Sequence, residues 1–174
     1  MTDPVKVTPT RLDGLLLIEP VSRFQDFRGE YVEYYNRPAF HAAGIMTDFI
    51  QDDISVSRKG VLRGLHGDAV TTKLISCHHG QFFLAVVNWD PDSPQYRQWQ
   101  TFELSAENRL AVLIPPKFIN GHYIQTETAI FHYKQDALYD RSGQVTVMYD
   151  DPALGIPWPL EGPPILSRRD AGRE

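Results

Sequence analysis

The chain has a single cysteine, Cys77. It can form no intrachain disulfide and offers no thiolate cluster to a metal. Such usage suits a reducing compartment, and a cytoplasmic location is expected. Long apolar runs are also missing: none approaches the ~20 residues that a membrane helix requires, so no membrane partner is expected. Met1-Thr2-Asp3-Pro4 lacks the basic and apolar regions of a signal peptide. Basic residues are not in excess. Lys and Arg number 17 against 22 Asp and Glu, a net charge of -5, whereas a nucleic-acid footprint is normally a basic patch that displaces counterions from phosphates. No nucleic-acid partner is expected, while a small anionic ligand stays compatible because local charge governs its binding. Internal repeats, low-complexity tracts and Gly/Ser linkers are absent, which with 174 residues points to one domain over 1–174 with one core.

What is present is a series of short segments rich in Val, Ile, Tyr and Phe, punctuated by Gly, Pro and Asp. That is the pattern of an all-β sandwich or barrel. Strands are expected near 15–19, 29–34, 49–57, 60–65, 73–78, 81–89, 99–104, 110–114, 122–125, 129–134 and 144–149. One short helix is expected before the C-terminus, over 37–43, with Pro38 in its first turn and Gly44 at its end. The segments 90–94 and 152–164 read as loops, the second opening a Pro-rich tail. An immunoglobulin domain would call for paired cysteines, so a double-sheet jelly roll, cupin-like, is the better fit.

The stretch Gly60 to Asp68, followed by Lys73, gathers a guanidinium, an imidazole, a carboxylate and an ammonium. On a regular strand Arg63 and His66 project to opposite faces, unless a bulge or turn at Gly64 or Gly67 re-aims one of them. A surface arginine and a hydrogen-bonded histidine would be the plain structural alternative. Metal binding is not favoured: this strand offers only His66, and the adjacent His78 and His79 point to opposite faces, reading as a solvated turn before Gly80. Phe131-His132-Tyr133-Lys134, with Tyr139 beyond it, brings phenols and a cation towards one sheet end, though a buried tyrosine with a satisfied hydroxyl is the common explanation. Leu166 to Asp170 reads by itself as an exposed charged tail.

Several of these segments gain weight as an ordered set. Phe27-Arg28-Gly29 with Glu33, Gln51 to Ser57, Gly60 to His66 with Lys73, Ile114-Pro115-Pro116, Tyr133-Lys134, Trp158-Pro159 and Leu166 to Asp170 follow one another along the chain. The set resembles the dTDP-4-dehydrorhamnose 3,5-epimerase family of cupins over nearly the whole length. The resemblance implies a jelly-roll homodimer that uses no metal or organic cofactor and takes a nucleotide-diphosphate sugar. By the same resemblance His66 matches the general base, Asp170 its paired carboxylate and Tyr133 the general acid. Lys73 would sit near the 4-keto oxygen, Arg28 and Arg63 near the pyrophosphate and Tyr139 against the nucleobase. Glu33, Gln51, Asp52, Asp53, Gln144 and Arg169 fall at other ligand-contacting positions, and Asn120 at one more.

These residue types suit the chemistry. Removing a proton beside a carbonyl gives an enolate, whose charge a lysine can stabilise. Inversion needs reprotonation from the other face, so a base and an acid must flank the ring. An imidazole accepts a proton near neutral pH, and a phenol, with a reference pKa of ~10, is ready to donate one. Two departures stand out. Gly67-Asp68 and a short path to Lys73 replace an aromatic-Gln pair and a longer Pro-containing loop, and Asn120 replaces the His of a His-Gly pair. Both resemble a branch acting on GDP-linked 4-keto-6-deoxy-heptoses. The nucleotide, the sugar and the choice of C3, C5 or both therefore stay open. Two other readings are a 3,4-keto-isomerase, which would shuttle protons on one face and need Tyr133 less, and a non-catalytic sugar-nucleotide-binding cupin, which would not need His66, Asp170, Tyr133 and Lys73 together.

Overall fold

The segment Gln81–Asn88 is apolar at six successive positions, which a strand tolerates only when both its faces are covered. It is in fact buried almost throughout, inside an all-β framework that a computed structural model describes for residues 5–20 and 22–173. The strands are β1 (Lys6–Pro9), β2 (Leu16–Glu19), β3 (Ser22–Asp26), β4 (Gly29–Glu33), β5 (Gln51–Arg58), β6 (Leu62–Gly67), β7 (Lys73–His79) and β8 (Gln81–Asn88), followed by β9 (Trp99–Ser105), β10 (Ala111–Ile114), β11 (Phe118–Ile124), β12 (Thr128–Gln135) and β13 (Val145–Thr146). Among the described residues, one α-helix, α1 (Arg37–Ala42), and a single 3₁₀ turn, Arg141–Gly143, complete the elements. Met1 to Pro4, on which the signal-peptide reading rests, lie outside the described residues.

Two antiparallel sheets face each other, as expected for a jelly roll. One runs β1-β2-β10-β7-β12-β5 and the other β13-β6-β11-β8-β9, with β3 and β4 forming a separate ribbon. Between the sheets, Ile75 and Cys77 of β7, Val112 and Ile114 of β10 and Phe131 of β12 meet Phe82, Leu84 and Val86 of β8 and Phe118 and Ile124 of β11. The six-stranded sheet is capped outside by α1, whose Phe40 is fully buried against Ile18, Leu74 and Leu113. That helix starts where Asn36 Oδ1 accepts the Ala39 N–H at 3.2 Å and has proline in its first turn. It ends before Gly44, whose φ of +87° suits the chain reversal.

The outer face of the five-stranded sheet is equally apolar, and the segment read as a Pro-rich tail is what covers it. Leu154, Ile156, Trp158 and Leu166 pack on Leu62, Leu65, Phe83 and Tyr123. Trp99 Nε1 donates to the Leu154 carbonyl at 2.7 Å and Trp158 Nε1 to that of Tyr149 at 2.8 Å. Both indole donors are thereby satisfied as they are buried. The segment is a structural layer, and it carries residues 167–170 back across β6.

Most expected strands appear within a residue or two. The differences have causes. β11 begins at Phe118, four residues before its expected start, because Pro115-Pro116 is only a turn and the chain re-enters the sheet at once. β13 is limited to two residues where six were expected, since its partner β6 bulges beyond His66. β1 and β3 were not anticipated: both are short and polar and lie at an edge or in the separate ribbon, where neither face needs a continuous apolar row. No helix among the described residues is long and apolar enough to cross a membrane.

Candidate active site

The geometry of β6 decides whether Arg63 and His66 can act together. Opposite it on β11, His122 pairs with Arg63 and Asn120 with His66, so Gly64 and Leu65 stand against Gly121 alone. Two residues against one is a β-bulge, and it turns the following side chain to the other face. Gly64 has φ +121°, and a Cβ there would lie 2.4 Å from the Gly121 Cα. Only glycine fits that crossing. As a result Arg63 and His66 line one cavity, as a bulge at Gly64 was expected to allow.

This cavity, of about 340 Å³, lies between the sheets and is of the size that holds small organic ligands. The five-stranded sheet supplies Arg63 and His66 from β6 and Asn120 and His122 from β11. The six-stranded sheet supplies Lys73 from β7, Ser55 from β5 and Phe131, Tyr133 and Gln135 from β12. Alternation explains the last set, because residues 131, 133 and 135 share one face of a strand and Gln135 pairs with Lys73. Tyr139, Gln144, Arg169 and Asp170 close the wall from outside the strands.

His66 and Asp170 form a pair. Nε2 lies 2.7 Å from Oδ1 of a carboxylate that is only 3% exposed. The imidazole and the carboxylate are thus in direct contact. Ser167 Oγ donates to Asp170 Oδ2 at 2.8 Å and accepts the Asp170 N–H at 3.1 Å, fixing the carboxylate. Burial works to raise the Asp170 pKa, but His66 and Ser167 outweigh it and hold the carboxyl below its ordinary value. Asp170 is therefore no part of an exposed tail.

Across the cavity, burial pushes the Tyr133 phenol up to about 12, with the Asp53 carboxylate adding to the shift. Burial pushes the Lys73 ammonium down, and Asp68 opposes it. Buried His122 stacks on Phe131 at 4.0 Å, and desolvation, with Arg63 beside it, drives its pKa to about 3, so it is neutral. Arg63 is braced by Ser57 Oγ, which accepts from Nε and an Nη at 3.1 and 3.0 Å. Ser55 Oγ, Asn120 Oδ1, His122 Nε2 and Gln135 Nε2 are buried in the wall without a protein partner. Unpaired buried polar atoms cost about 1–3 kcal/mol each, and here they converge on one space where a polyhydroxylated ligand would satisfy them.

Nine of the expected site residues thus meet: His66, Lys73, Tyr133 and Asp170 with Arg63, Asn120, Tyr139, Gln144 and Arg169. Others stand behind the wall. Gln51 Nε2 donates to Asp53 at 2.6 Å while its Oε1 accepts the Tyr139 N–H at 2.9 Å, which ties β5, the neighbour of the Tyr133 strand, to the Tyr139 loop. Asp52 faces the opposite side, where it pairs with His132 and Lys134. Arg28, largely exposed in the β3–β4 turn and paired with Asp26, lies outside the cavity wall, as does Glu33 at the end of β4. The solvated-turn reading of His78 is corrected: its ring stacks on His132 at 4.2 Å, bonds Ser76 Oγ at 3.2 Å and is driven by burial to about 4. His122, Phe131, Ser55 and Gln135 escaped sequence reasoning, although the even spacing of His122 from Asn120 and of Phe131 and Gln135 from Tyr133 was a usable signal.

Sequence and structure comparisons agree with this geometry. The sequence model of dTDP-4-dehydrorhamnose 3,5-epimerase matches residues 9–174. The dTDP-4-dehydrorhamnose 3,5-epimerase of Salmonella typhimurium is 38% identical over 95% of this chain and 92% of its own. The crystal structure of the dTDP-6-deoxy-D-glucose-3,5-epimerase of Legionella pneumophila, in complex with dTDP-4-keto-L-rhamnose, superposes with a TM-score of 0.92 at 36% identity, covering 97% of this chain and 90% of that one. ChmJ, a 3'-monoepimerase from Streptomyces bikiniensis in complex with dTDP-quinovose, follows at 0.88 and 28%, covering 94% and 84%. With a bulged His66 strand, a Tyr133 strand facing it and matches that span nearly its whole length, the chain belongs to the dTDP-4-dehydrorhamnose 3,5-epimerase family.

Proposed function

We propose that this protein inverts C3, C5 or both in a nucleotide-linked 4-keto-6-deoxy sugar, as one catalytic domain over 1–174 and in the cytoplasm. The observation that carries this reading is the arrangement of His66 with Asp170 on one side of the cavity and Tyr133 on the other, contributed by facing sheets, with Lys73 on β7 beside the Tyr133 strand. A ring bound between them has a basic imidazole on one face and a phenol on the other. That is the requirement for inversion, and a one-face proton shuttle would not call for it.

In the proposed reaction His66 Nδ1, the ring nitrogen not turned to Asp170, removes the proton from the carbon next to the 4-keto group. The C–H electron pair moves into the new C–C double bond, and the carbonyl pair onto oxygen. Lys73 stabilises that enolate oxygen, a preorganised charge acting where charge develops. Tyr133 then delivers its proton to the opposite face as the carbonyl re-forms. One proton has left the sugar and another has entered, so His66 ends protonated and Tyr133 ionised, and exchange with water resets both. Each proton transfer is worth about 10²- to 10⁴-fold in rate. Arg63 faces the pyrophosphate and Tyr139 the nucleobase, with Asn120, Gln144 and Arg169 on the remaining hydroxyls and phosphate oxygens.

The relatives named above carry dTDP in their names or ligands, which supports a dTDP-linked substrate first and a GDP-linked one as the alternative. The active form we propose is a homodimer. β5 is an open sheet edge with Ile54 and Val56 exposed, and the β3–β4 ribbon presents Phe24, Tyr31 and Phe27, the last 98% exposed. Unpaired edges and exposed aromatics of this extent call for a covering surface. A second copy covering them would bring Arg28 and Glu33, which lie outside their own cavity, to the mouth of its partner's.

The test is stereochemical. Incubation with dTDP- and with GDP-linked 4-keto-6-deoxy sugars, reduction of the keto group and assignment of C3 and C5 in the product will reveal inversion at one or both carbons. Unchanged configuration with every substrate would remove the reading.

A further inference from the structure

Only five residues separate the end of the His66 strand from the start of the Lys73 strand, and the first of them is an acid. Both oxygens of the Asp68 carboxylate are engaged. Oδ1 accepts the N–H groups of Val70 and Thr71 at 3.0 and 2.7 Å, closing the turn, and Oδ2 accepts from Gln144 Nε2 at 2.7 Å. Its backbone carbonyl accepts the Lys117 N–H at 2.9 Å, so the turn is also fastened to the β10–β11 connection. A carboxylate held by three donors from two parts of the chain has a fixed direction, and it lies in the same cavity wall as Lys73.

We infer that Asp68 is a positioning residue for this site, the counter-charge that keeps Lys73 in its ammonium form beside the reacting carbonyl. The inference deepens the epimerase reading and rests on it for the role of Lys73. An ammonium enclosed in a cavity loses hydration and tends to shed its proton. Lys73 is in that position, since burial lowers its pKa while the Asp68 charge acts the other way. The remaining groups around the cavity do not replace it. Tyr133 on β12, Arg63 and His66 on β6 and His122 on β11 bring no fixed negative charge near neutrality. Asp170, on the C-terminal segment, is committed to His66 and Ser167, with Arg169 beside it. Asp136, beyond β12, accepts the Thr72 N–H at 2.7 Å, and Asp53 stands behind Tyr133. A neutral lysine would stabilise a developing enolate far less than a charged one, so losing Asp68 moves the loss of that stabilisation to lower pH.

The test follows the lysine itself. In protein carrying ¹³C at lysine Cε, the Lys73 resonance is assigned by its loss in Lys73→Gln and titrated without substrate. Asp68→Asn leaves an acceptor for the turn and removes the charge, and Asp68→Ser does the same with a hydroxyl. Lys73 is expected to titrate at lower pH in both variants. The alkaline limb of the rate of solvent deuterium exchange into substrate should move to lower pH with it, a shift that a merely structural turn would not produce. A Lys73 titration unchanged in either folded variant overturns the inference. Because that titration needs no turnover, it decides the point separately from the epimerase reading, whose failure would instead be seen as absent exchange in the unsubstituted protein.

Discussion

His66 on β6 and Asp170, near the other end of the described chain, stand 2.7 Å apart, and only a C-terminal segment folded back over the five-stranded sheet allows it. The pairing gives the proposed base a fixed neighbour. Main-chain bonds hold it in place: Leu65 and Val147 exchange N–H to carbonyl bonds at 3.0 Å each, and Ile165 N donates to the Gly60 carbonyl at 2.8 Å.

Asp170→Asn keeps the shape and removes the charge. Deuterium exchange into substrate is expected to slow by about 10²- to 10⁴-fold, as for other histidine bases that lose their carboxylate partner. The same variant carries a pH prediction. A carboxyl whose folded pKa lies below its unfolded value adds stability that is present above the unfolded value and lost as pH falls through the folded one. Asp170 is such a group, so acid unfolding below about pH 4 should lose part of its steepness in Asp170→Asn. An unchanged acid limb in urea titrations would contradict the charge assigned to Asp170.

Tyr133→Phe should separate the two halves of the reaction. The phenol is raised to about 12, so it is protonated at working pH and its loss removes a donor. Proton removal by His66 should persist, seen as solvent deuterium entering the sugar with retained configuration. Formation of inverted product should fall by about 10²- to 10⁴-fold. Equal loss of exchange and inversion would contradict the division of roles.

His122 predicts an acid-sensitive fold. Its pKa is about 3, against ~6.5 for an exposed imidazole. The unfolded chain therefore binds a proton that native His122 refuses, so the stability contributed by the neutral ring is complete above ~6.5 and is lost as pH falls from there towards 3. The slope is at most about 1.4 kcal/mol per pH unit. Urea titrations across this window should show a shallower pH dependence in His122→Gln than in the unsubstituted protein, and identical slopes would contradict the burial argument.

The dimer can be tested at its exposed faces. Phe27→Asp together with Ile54→Asp puts charge on the β3–β4 ribbon and on the β5 edge, and sedimentation should change from dimer to monomer. Exchange activity should drop with it, because Arg28 and Glu33 no longer reach a partner's cavity. A fully active monomer of unsubstituted sequence would contradict the proposal.

What the sequence reveals and what it hides follow from range. The strands over 73–79, 81–88 and 128–135 are readable because β-branched and aromatic runs bounded by turn residues are local signals. The helix over 37–42 is readable for the same reason, through Asn36, Pro38 and Gly44. Whether Arg63 and His66 share a face depends on a bulge opposite Gly121, a pairing across more than fifty residues that periodicity along β6 cannot supply. Asp170 looks like a charged tail because its burial depends on Trp158 and Leu166 packing onto a sheet formed elsewhere. His78 looks like a turn because its partners, His132 on β12 and Tyr34 just after β4, lie far from it along the chain. Family resemblance recovered His66, Tyr133 and Asp170 as a set. Alternation alone could have added His122 and Phe131, which lie two residues from Asn120 and Tyr133.

The most direct measurement of the central claim is NMR detection of deuterium at each ring carbon of dTDP- and GDP-linked 4-keto-6-deoxy sugars incubated with the protein in deuterated water. Deuterium is expected at C3, C5 or both with inversion there, and that signal should be lost in His66→Ala. No label above the uncatalysed background with any of these substrates, or full labelling by His66→Ala, would contradict that claim.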